Sequence, residues 1–194
     1  MKRTLWLGLI SMMAVACRKP PPEPPIQRHP SMVVKDLADS SVALGRYAHF
    51  DLDNNGQKDV LFSTQSVGYD NGSIVKQQWT VNTSFYANLP VNSTEQIPVL
   101  QYLDSISIND FSGYAWYNAS SIVLSQKIYS FTAPPFWEGD WKESYHCFVP
   151  VQLVKQDGLY NGWIEVSFST TTEKLTLHRM AICKEANKSI IIEL

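Results

Sequence analysis

Apolar residues between positions 31 and 194 recur at every second position, in one short run after another. The run NGWIEVSFS, for example, places Ile164, Val166 and Phe168 on one side of an extended chain. Because successive side chains of a β-strand point to opposite faces, this period indicates strands that bury one face. Clusters of Gly, Asn, Asp and Ser separate the runs, as turns require. The sequence therefore predicts an all-β domain over residues 31–194, an antiparallel β-sandwich or jelly roll of about ten short strands.

Two segments of this domain lead to more specific expectations. In KLTLHRMAIC, strict alternation places Leu175 and Leu177 on the same face as Ala181 and Cys183. Residues 33–44 are the only stretch with a weak helical pattern.

The first sixteen residues have the pattern of an export signal. Lys2 and Arg3 precede an apolar run over residues 5–16, which is shorter than the ~20 residues of a membrane-spanning helix. The sequence AVAC, ending at Cys17, resembles the lipobox of exported bacterial lipoproteins. That resemblance implies that residues 1–16 are removed and that Cys17 receives the acyl chains, such as palmitate, that anchor the protein to a membrane. The alternative is an ordinary secretory signal that happens to contain a cysteine.

Residues 17–30 predict a tether between this anchor and the domain. Six of the eleven prolines lie in residues 18–30, and prolines at this density favour an extended polyproline conformation. At ~3.1 Å per residue, the segment spans on the order of 40 Å. An aspartate directly after the lipidated cysteine resembles the signal that retains lipoproteins in the inner membrane. This chain has Arg18 at that position, so outer-membrane sorting is favoured. The side of the outer membrane on which the domain lies is left open.

Charge and cysteine content limit the partners and the covalent structure. The formal net charge is −2, and loss of residues 1–16 removes Lys2 and Arg3 but no acid, which makes it −4. Such a domain lacks the basic surface that nucleic acid requires, so no nucleic-acid partner is expected. Cys147 and Cys183 are predicted to form a disulfide in an oxidising compartment, or else to be two buried free thiols.

The segment FDLDNNGQKDVLF predicts a cation site. Oxygen-bearing side chains stand at alternate positions, Gly56 permits a sharp turn, and calcium takes six to eight oxygen ligands. Phe62 stands where an EF-hand has its bidentate glutamate, and the flanks are strand-like, so the loop is not an EF-hand. A metal-free turn held by its own Asn and Asp side chains is the alternative. The predicted calcium ligands are Asp51, Asp53, Asn55, the backbone carbonyl of Gln57, and Asp59.

This loop resembles the D-x-D-x-[DN]-G-x-x-D loops of FG-GAP and VCBS repeats in exported bacterial surface proteins. That resemblance implies structural calcium between two strands, and the two asparagines reduce the ligand charge toward the ~10⁻⁴–10⁻³ M affinity of extracellular modules. The C-terminal third, with Gly162-Trp163-Ile164 and Ala181, resembles a group of small exported bacterial lipoproteins. The group implies a fold and a location but no activity. Trp163 is expected in the core or on a sheet face.

Aromatic residues supply the candidate ligand-binding surface. TAPPFWEGDW is predicted to be an exposed loop, and SGYAWYN can add to it. Flat aromatic faces beside carboxylates suit sugar rings, so a carbohydrate-binding module is one hypothesis, with a glycan or an envelope protein as partner. In the other hypothesis these rings cover the edge of the core. The candidate residues are Phe136, Trp137, Trp141 and Trp116.

No catalytic residue is predicted. The chain contains neither a GxSxG nor an HExxH motif. The histidines at positions 49, 146 and 178 are scattered along strand-like runs and are expected to be structural. The acids in EGDWKE could serve a glycan hydrolase only if a cleft gathered them. The expected function is therefore a membrane-anchored envelope lipoprotein with a non-catalytic binding or structural role.

Overall fold

The computed structural model describes residues 29–111 and 113–193, whose regular secondary structure consists of antiparallel strands and one 3₁₀ turn. The expected all-β domain is confirmed. The described residues form thirteen strands rather than the ten expected, because several strands have only two or three residues, too few to show a period in the sequence. Within the described ranges there is no helix of the length and apolarity needed to cross a membrane. The strands are β1 Met32–Val42, β2 Ala48–Phe50, β3 Val60–Tyr69, β4 Ile74–Thr83, β5 Ala87–Val91, β6 Ser105–Ile106, β7 Ala115–Tyr117, β8 Ile122–Ser130, β9 Phe136–Glu138, β10 Cys147–Lys155, β11 Gly158–Ser169, β12 Lys174–Cys183 and β13 Ile190–Ile191, with a single 3₁₀ turn at Asp70–Gly72.

Two sheets form the sandwich. The six-stranded sheet has the order β1-β12-β11-β10-β5-β7, and the five-stranded sheet has the order β2-β3-β4-β8-β9. The main core lies between them, and alternate residues of both sheets fill it. Trp79 from β4 packs edge-on against Phe168 from β11, with ring centroids 5.3 Å apart. Burial of each such side chain contributes about 1.5–3 kcal/mol, which explains why the alternating pattern dominates the sequence.

A second hydrophobic cluster covers part of the outer face of the six-stranded sheet. The two-stranded ribbon of β6 and β13 lies over it and brings Ile106 against Phe148 and Trp163. Buried Asn161 on β11 fastens this ribbon, because its amide donates to the backbone oxygen of Ile106 at 3.1 Å. Trp163 is 1% exposed, so its predicted place in the core is confirmed.

Two expectations about strands are wrong, and a β-bulge accounts for each. Residues 33–44 are not helical, since β1 pairs with β12 and a register shift between Asp36 and Ser40 breaks its alternation. In β12, Leu177 faces the main core, whereas Ala181 and Cys183 face the second cluster. A register shift in the β11–β12 pairing inserts one extra residue there, which reverses the faces of all later side chains.

The predicted disulfide is also wrong, because Cys147 and Cys183 are both free and buried. Cys147 begins β10 and faces the main core, whereas Cys183 ends β12 and lies in the second cluster. The two thiols thus lie on opposite faces of one sheet, an arrangement in which no disulfide can form. The alternative of two buried free thiols is the correct one.

The predicted signal peptide at 1–16, Cys17, and all of the 17–30 tether up to residue 28 lie outside the described residues.

Candidate functional site

The acidic loop joins β2 to β3 as a hairpin connection over residues 51–59. Phe50 and Val60 pair across its base, and the amide of Asp59 donates to the backbone oxygen of Phe50 at 2.8 Å. Leu52 is buried in the main core, so the first residues of the loop are fixed to the core in addition to the strand pairing at its base. The backbone oxygen of Asp59 accepts from Ser84 at 2.8 Å, which ties the loop to the chain between β4 and β5. These anchors hold the loop in one conformation.

Three carboxylates of this loop converge. Asp51, Asp53 and Asp59 each offer an oxygen that lies within 4.8 Å of the others, and this group can hold a metal ion. Two oxygens bound to one calcium at 2.3–2.6 Å lie no more than about 5 Å apart, so the observed spread suits that ion. Asp59 is only 2% exposed and the side chain of Asp53 only 10%, whereas Asp51 is half-buried.

Backbone amides fold the loop around the acids. Asp51 accepts from the amides of Asn55 at 3.1 Å and Gly56 at 2.8 Å, and Asp53 also accepts from the amide of Asn55. Gly56 has a φ of +88°, which explains the need for glycine at this position. Each ionised carboxylate has about four acceptor positions, so these bonds leave capacity for a cation.

The surroundings shift the pKa values of Asp53 and Asp59 in opposite directions. Burial, together with the neighbouring charges of Asp53 and Asp51, raises the pKa of Asp59 to about 6, although the hydrogen bond from the amide of Leu52 opposes this shift. Burial also disfavours the charge of Asp53, but the hydrogen bond and the positive charge of Lys155 outweigh it and lower the pKa of Asp53. A cation at this point would offset the cost of ionising Asp59.

Lys155 is the member of this site that the sequence did not reveal. Its Nζ lies 2.8 Å from Oδ2 of Asp53 and 4.5 Å from the ring centroid of Tyr160. Lys155 ends β10, in the other sheet and about a hundred residues along the chain. In the sequence Lys155 is recognisable only as the first residue of the KQDG turn, and this position does not indicate a contact with the acidic loop.

Asn55 and Gln57, the other predicted ligands, border the same cleft as Asp53 and Asp59. The cleft has a volume of about 470 Å³, and the end of β10 together with Tyr86 forms its other wall. Oδ1 of Asn55 accepts the amide of Gln57 at 2.7 Å, and its Nδ2 donates to Asp53 at 3.1 Å. The Asn55 side chain therefore supports the loop internally in this conformation.

The predicted aromatic platform is not assembled. Trp141 is 1% exposed and belongs to the main core, so the prediction that it binds a ligand is wrong. Trp137 lies on edge strand β9 and packs against Trp79 and Phe168 at centroid distances of 5.3 and 5.4 Å. Phe136 is 46% exposed beside it. The two tryptophans of TAPPFWEGDW thus pack against the core, as the other hypothesis held.

Trp116 lies elsewhere, on β7 at the edge of the six-stranded sheet, half-buried against the second cluster. Next to it, Phe111, Tyr114 and Tyr117 line an open groove of about 510 Å³ together with Asp110. Tyr117 is 60% exposed. The SGYAWYN segment, rather than the TAPPFWEGDW segment, therefore carries the accessible aromatic faces.

No protein-family model matches this chain, and neither a curated protein nor a solved structure shows significant similarity to it.

Proposed function

We propose that this protein is an exported, membrane-anchored β-sandwich in which the acidic loop binds one structural calcium ion, and that its role at the cell envelope is binding or structural. The observation that carries the metal site is the convergence of Asp51, Asp53 and Asp59 within 4.8 Å on a pinned hairpin loop. The loop's resemblance to calcium loops of exported surface proteins supports the same assignment. No step of catalysis is proposed for the metal loop.

The donor set favours calcium over other metals. The site offers carboxylate, amide and backbone oxygens, whereas zinc sites use histidine and cysteine ligands. Magnesium prefers tight octahedral geometry at ~2.0–2.1 Å and keeps several waters, so a spread of up to 4.8 Å suits the larger ion better. Asn55 and the carbonyl of Gln57 border the same cleft and would complete the coordination.

A bound calcium would stabilise the fold, because the loop is joined to both sheets. Leu52 enters the main core, and the backbone oxygen of Asp59 accepts from Ser84, between β4 of one sheet and β5 of the other. At about 10 mM calcium and a Kd of ~10⁻⁴–10⁻³ M, binding adds roughly 1.4–2.7 kcal/mol to the free energy of unfolding. For a domain of this size, the melting temperature should rise by about 3–10 °C.

Thermal melts of the purified domain with excess calcium and with excess chelator test this role. We expect the higher midpoint in calcium, and we expect the difference to vanish in Asp51→Asn/Asp53→Asn. Asp157→Asn, which alters an acid of the β10–β11 turn outside the cluster, is the matched control and should retain the difference. An unchanged midpoint in the parent protein would contradict a structural metal.

The proposed anchor rests on the sequence alone. The lipobox-like AVAC, the proline-rich residues 17–30, and a first strand that begins at Met32 are consistent with a domain tethered by Cys17. In cells of a bacterium that lipidates proteins, a palmitate analogue should label the parent chain and place it in the outer-membrane fraction. Cys17→Ala should remove both the label and the membrane association. An unlabelled parent chain would contradict the anchor.

A second candidate function is carbohydrate binding in the groove of Phe111, Tyr114 and Tyr117. The supporting observation is an open groove in which aromatic faces adjoin Asp110, an arrangement that suits stacking on sugar rings and hydrogen bonds to hydroxyls. A glycan array with Tyr114→Ala and Tyr117→Ala tests it, and Tyr102→Ala, an exposed tyrosine outside the groove, is the control. Absence of signal for the parent protein would contradict this function.

A further inference from the structure

A serine, a histidine and an aspartate from three strands form a hydrogen-bonded chain on the outer face of the six-stranded sheet. Oγ of Ser167 on β11 lies 2.8 Å from Nε2 of His178 on β12. Nδ1 of the same imidazole lies 2.6 Å from Oδ1 of Asp39 on β1. Since Val166 and Phe168 face the main core, Ser167 faces away from it and toward solvent. This is the order of contacts by which a histidine activates a serine hydroxyl.

The donors and acceptors of this chain allow Ser167 to donate its proton to His178. The backbone amide of His146 donates to Oγ of Ser167 at 2.9 Å, so this oxygen is already an acceptor. In the neutral imidazole with its proton on Nδ1, Nε2 of His178 is the unprotonated nitrogen and accepts the hydroxyl proton of Ser167. Asp39 accepts from Nδ1–H and fixes that tautomer. Ser167 is therefore poised to give its proton to His178.

Two β-bulges create this arrangement. The register shift of β1 contains Ala38 and Asp39, whose φ values of 53° and 52° are unusual for residues other than glycine. The register shift of β12 makes His178 the extra residue between Leu177 and Arg179. Bulges redirect side chains and are frequent beside active sites, and strained backbone is retained where the surroundings require it. Here adjacent bulges on paired strands turn Asp39 and His178 toward each other.

A second histidine supports the first. The ring of His146 stacks on that of His178 with centroids 4.2 Å apart and planes inclined by 23°. His146 is held by Glu165, which is 1% exposed and also accepts from Arg179 at 2.7 Å. This network fixes the segment whose amide orients Ser167, so His146, Glu165 and Arg179 act as positioning residues.

We propose that Ser167 is a nucleophile toward carboxylic esters, with His178 as general base and Asp39 as the residue that orients it. This activity goes beyond the binding or structural role proposed above and does not involve the metal loop. Ser167 Oγ attacks the acyl carbon while its proton passes to Nε2 of His178. The tetrahedral species collapses, the C–O bond to the alcohol breaks, and the leaving oxygen takes the proton from His178.

Solvent water then completes the reaction. Water attacks the acyl-serine and gives a proton to Nε2 of His178. Collapse releases the carboxylic acid, and Ser167 recovers its proton from His178. The sum is ester plus water to acid plus alcohol. The side chain of His178 is 15% exposed and Ser167 is half-buried, whereas the side chain of Asp39 is 75% exposed, so the site is partly open to solvent, which suits an ester carried at an exposed chain end.

Labelling of the purified domain with a fluorophosphonate, followed by peptide mass spectrometry, tests this proposal. We expect the label on Ser167, and we expect no label there in Ser167→Ala. Ser169→Ala, which removes the next serine on the same face of β11, is the matched control and should label like the parent chain. Melting curves will show whether each variant is folded. Failure to label Ser167 in the folded parent would overturn the proposal.

Asp39→Asn separates orientation from a merely structural role. With 4-nitrophenyl acetate as the substrate, we expect kcat to fall about tenfold or more while KM is unchanged, because the exposed carboxylate acts through His178 and not on the ester. Asp39→Glu should restore part of the activity. His49→Ala, which changes a histidine on β2 in the other sheet and outside this network, should have no effect. An unchanged kcat in Asp39→Asn would also overturn the assignment.

Discussion

Nζ of Lys155 lies 2.8 Å from Oδ2 of Asp53, although the two residues belong to different sheets of the sandwich. The lysine thus supplies a positive charge at the edge of a cluster of three carboxylates. A metal ion bound by Asp53 would compete with this ammonium group for the carboxylate. In the metal-free protein the lysine stabilises the loop, and on metal binding it must give up or share its contact with Asp53.

Removal of this internal cation should strengthen calcium binding. We expect Lys155→Gln to lower the Kd for calcium by about 3- to 10-fold, a change of roughly 0.6–1.4 kcal/mol. Calcium titration of both proteins at constant ionic strength checks the prediction. Lys174→Gln removes an exposed lysine outside the cluster and should leave the Kd unchanged. An equal or weaker affinity in Lys155→Gln would show that the lysine does not compete.

Replacement of Asp59 by asparagine should raise the stability of the metal-free protein and abolish its stabilisation by calcium. Asn at position 59 can still accept from the amide of Leu52, a bond that Asp59 makes at 2.8 Å. It removes a charge that is disfavoured by burial and by two neighbouring acids. In chelator at pH 7, Asp59→Asn should therefore be more stable than the parent by roughly 1–2 kcal/mol. Calcium should no longer raise its midpoint, and denaturant melts measure both effects.

The pKa of Asp59 predicts opposite pH dependences with and without calcium. In the folded, metal-free protein this pKa is about 6, above the ordinary value of 3.8, so the folded state binds the proton more tightly. The contribution of Asp59 to stability should therefore fall as the pH rises from about 4 to 6. Calcium requires the carboxylate, so the calcium-induced rise in midpoint should be larger at pH 7 than at pH 5.

Melts at several pH values test this, with Asp59→Asn as the reference for all other titrating groups. Without metal, the difference in stability between the variant and the parent should grow as the pH rises through 4–6. A difference that does not change with pH would contradict the raised pKa.

The sequence predicted the architecture well because local alternation reports which face of a strand is buried. The prediction was wrong where a β-bulge inserted extra residues and interrupted the alternation of side chains along a strand. The extra residue His178 in β12 reversed the faces of Ala181 and Cys183, and the bulge around Asp39 removed the alternation of β1. A bulge has no fixed sequence signature. The face of the sheet on which each later side chain lies is therefore known only when the pairing of the strands is known.

The candidate sites also divide into those that local sequence spacing predicts and those that depend on how strands and sheets pack. Asp51, Asp53 and Asp59 lie within nine residues, and their spacing alone indicated that they converge. Lys155 could not be predicted to join them because the contact depends on how two sheets pack. Ser167, His178 and Asp39 likewise come from three strands, so no short motif contains them. Trp141 failed as a ligand residue because aromatic composition does not distinguish an exposed ring from a core ring.

Gly162 should be essential for the packing of β11 on β12. A Cβ built at this position would lie 2.4 Å from the backbone oxygen of Ala181, a distance that forces the strands apart. Gly162→Ala should therefore destabilise the domain by about 1–3 kcal/mol in denaturant melts. Gly68→Ala, at an exposed strand position with no atom within 4 Å of the built Cβ, is the control and should have little effect. Equal stability of both variants would refute the close approach.

Calcium titration followed by amide NMR tests the central claim most directly. Amides of residues 52–57 and 59 should shift in a saturable manner at one calcium per chain, with a Kd of ~10⁻⁴–10⁻³ M. The amides of the groove at Tyr114 and Tyr117 should not move, and Asp51→Asn/Asp53→Asn should abolish the response. If the loop amides do not shift at about 10 mM calcium, or shift without saturation, the acidic loop is a metal-free turn.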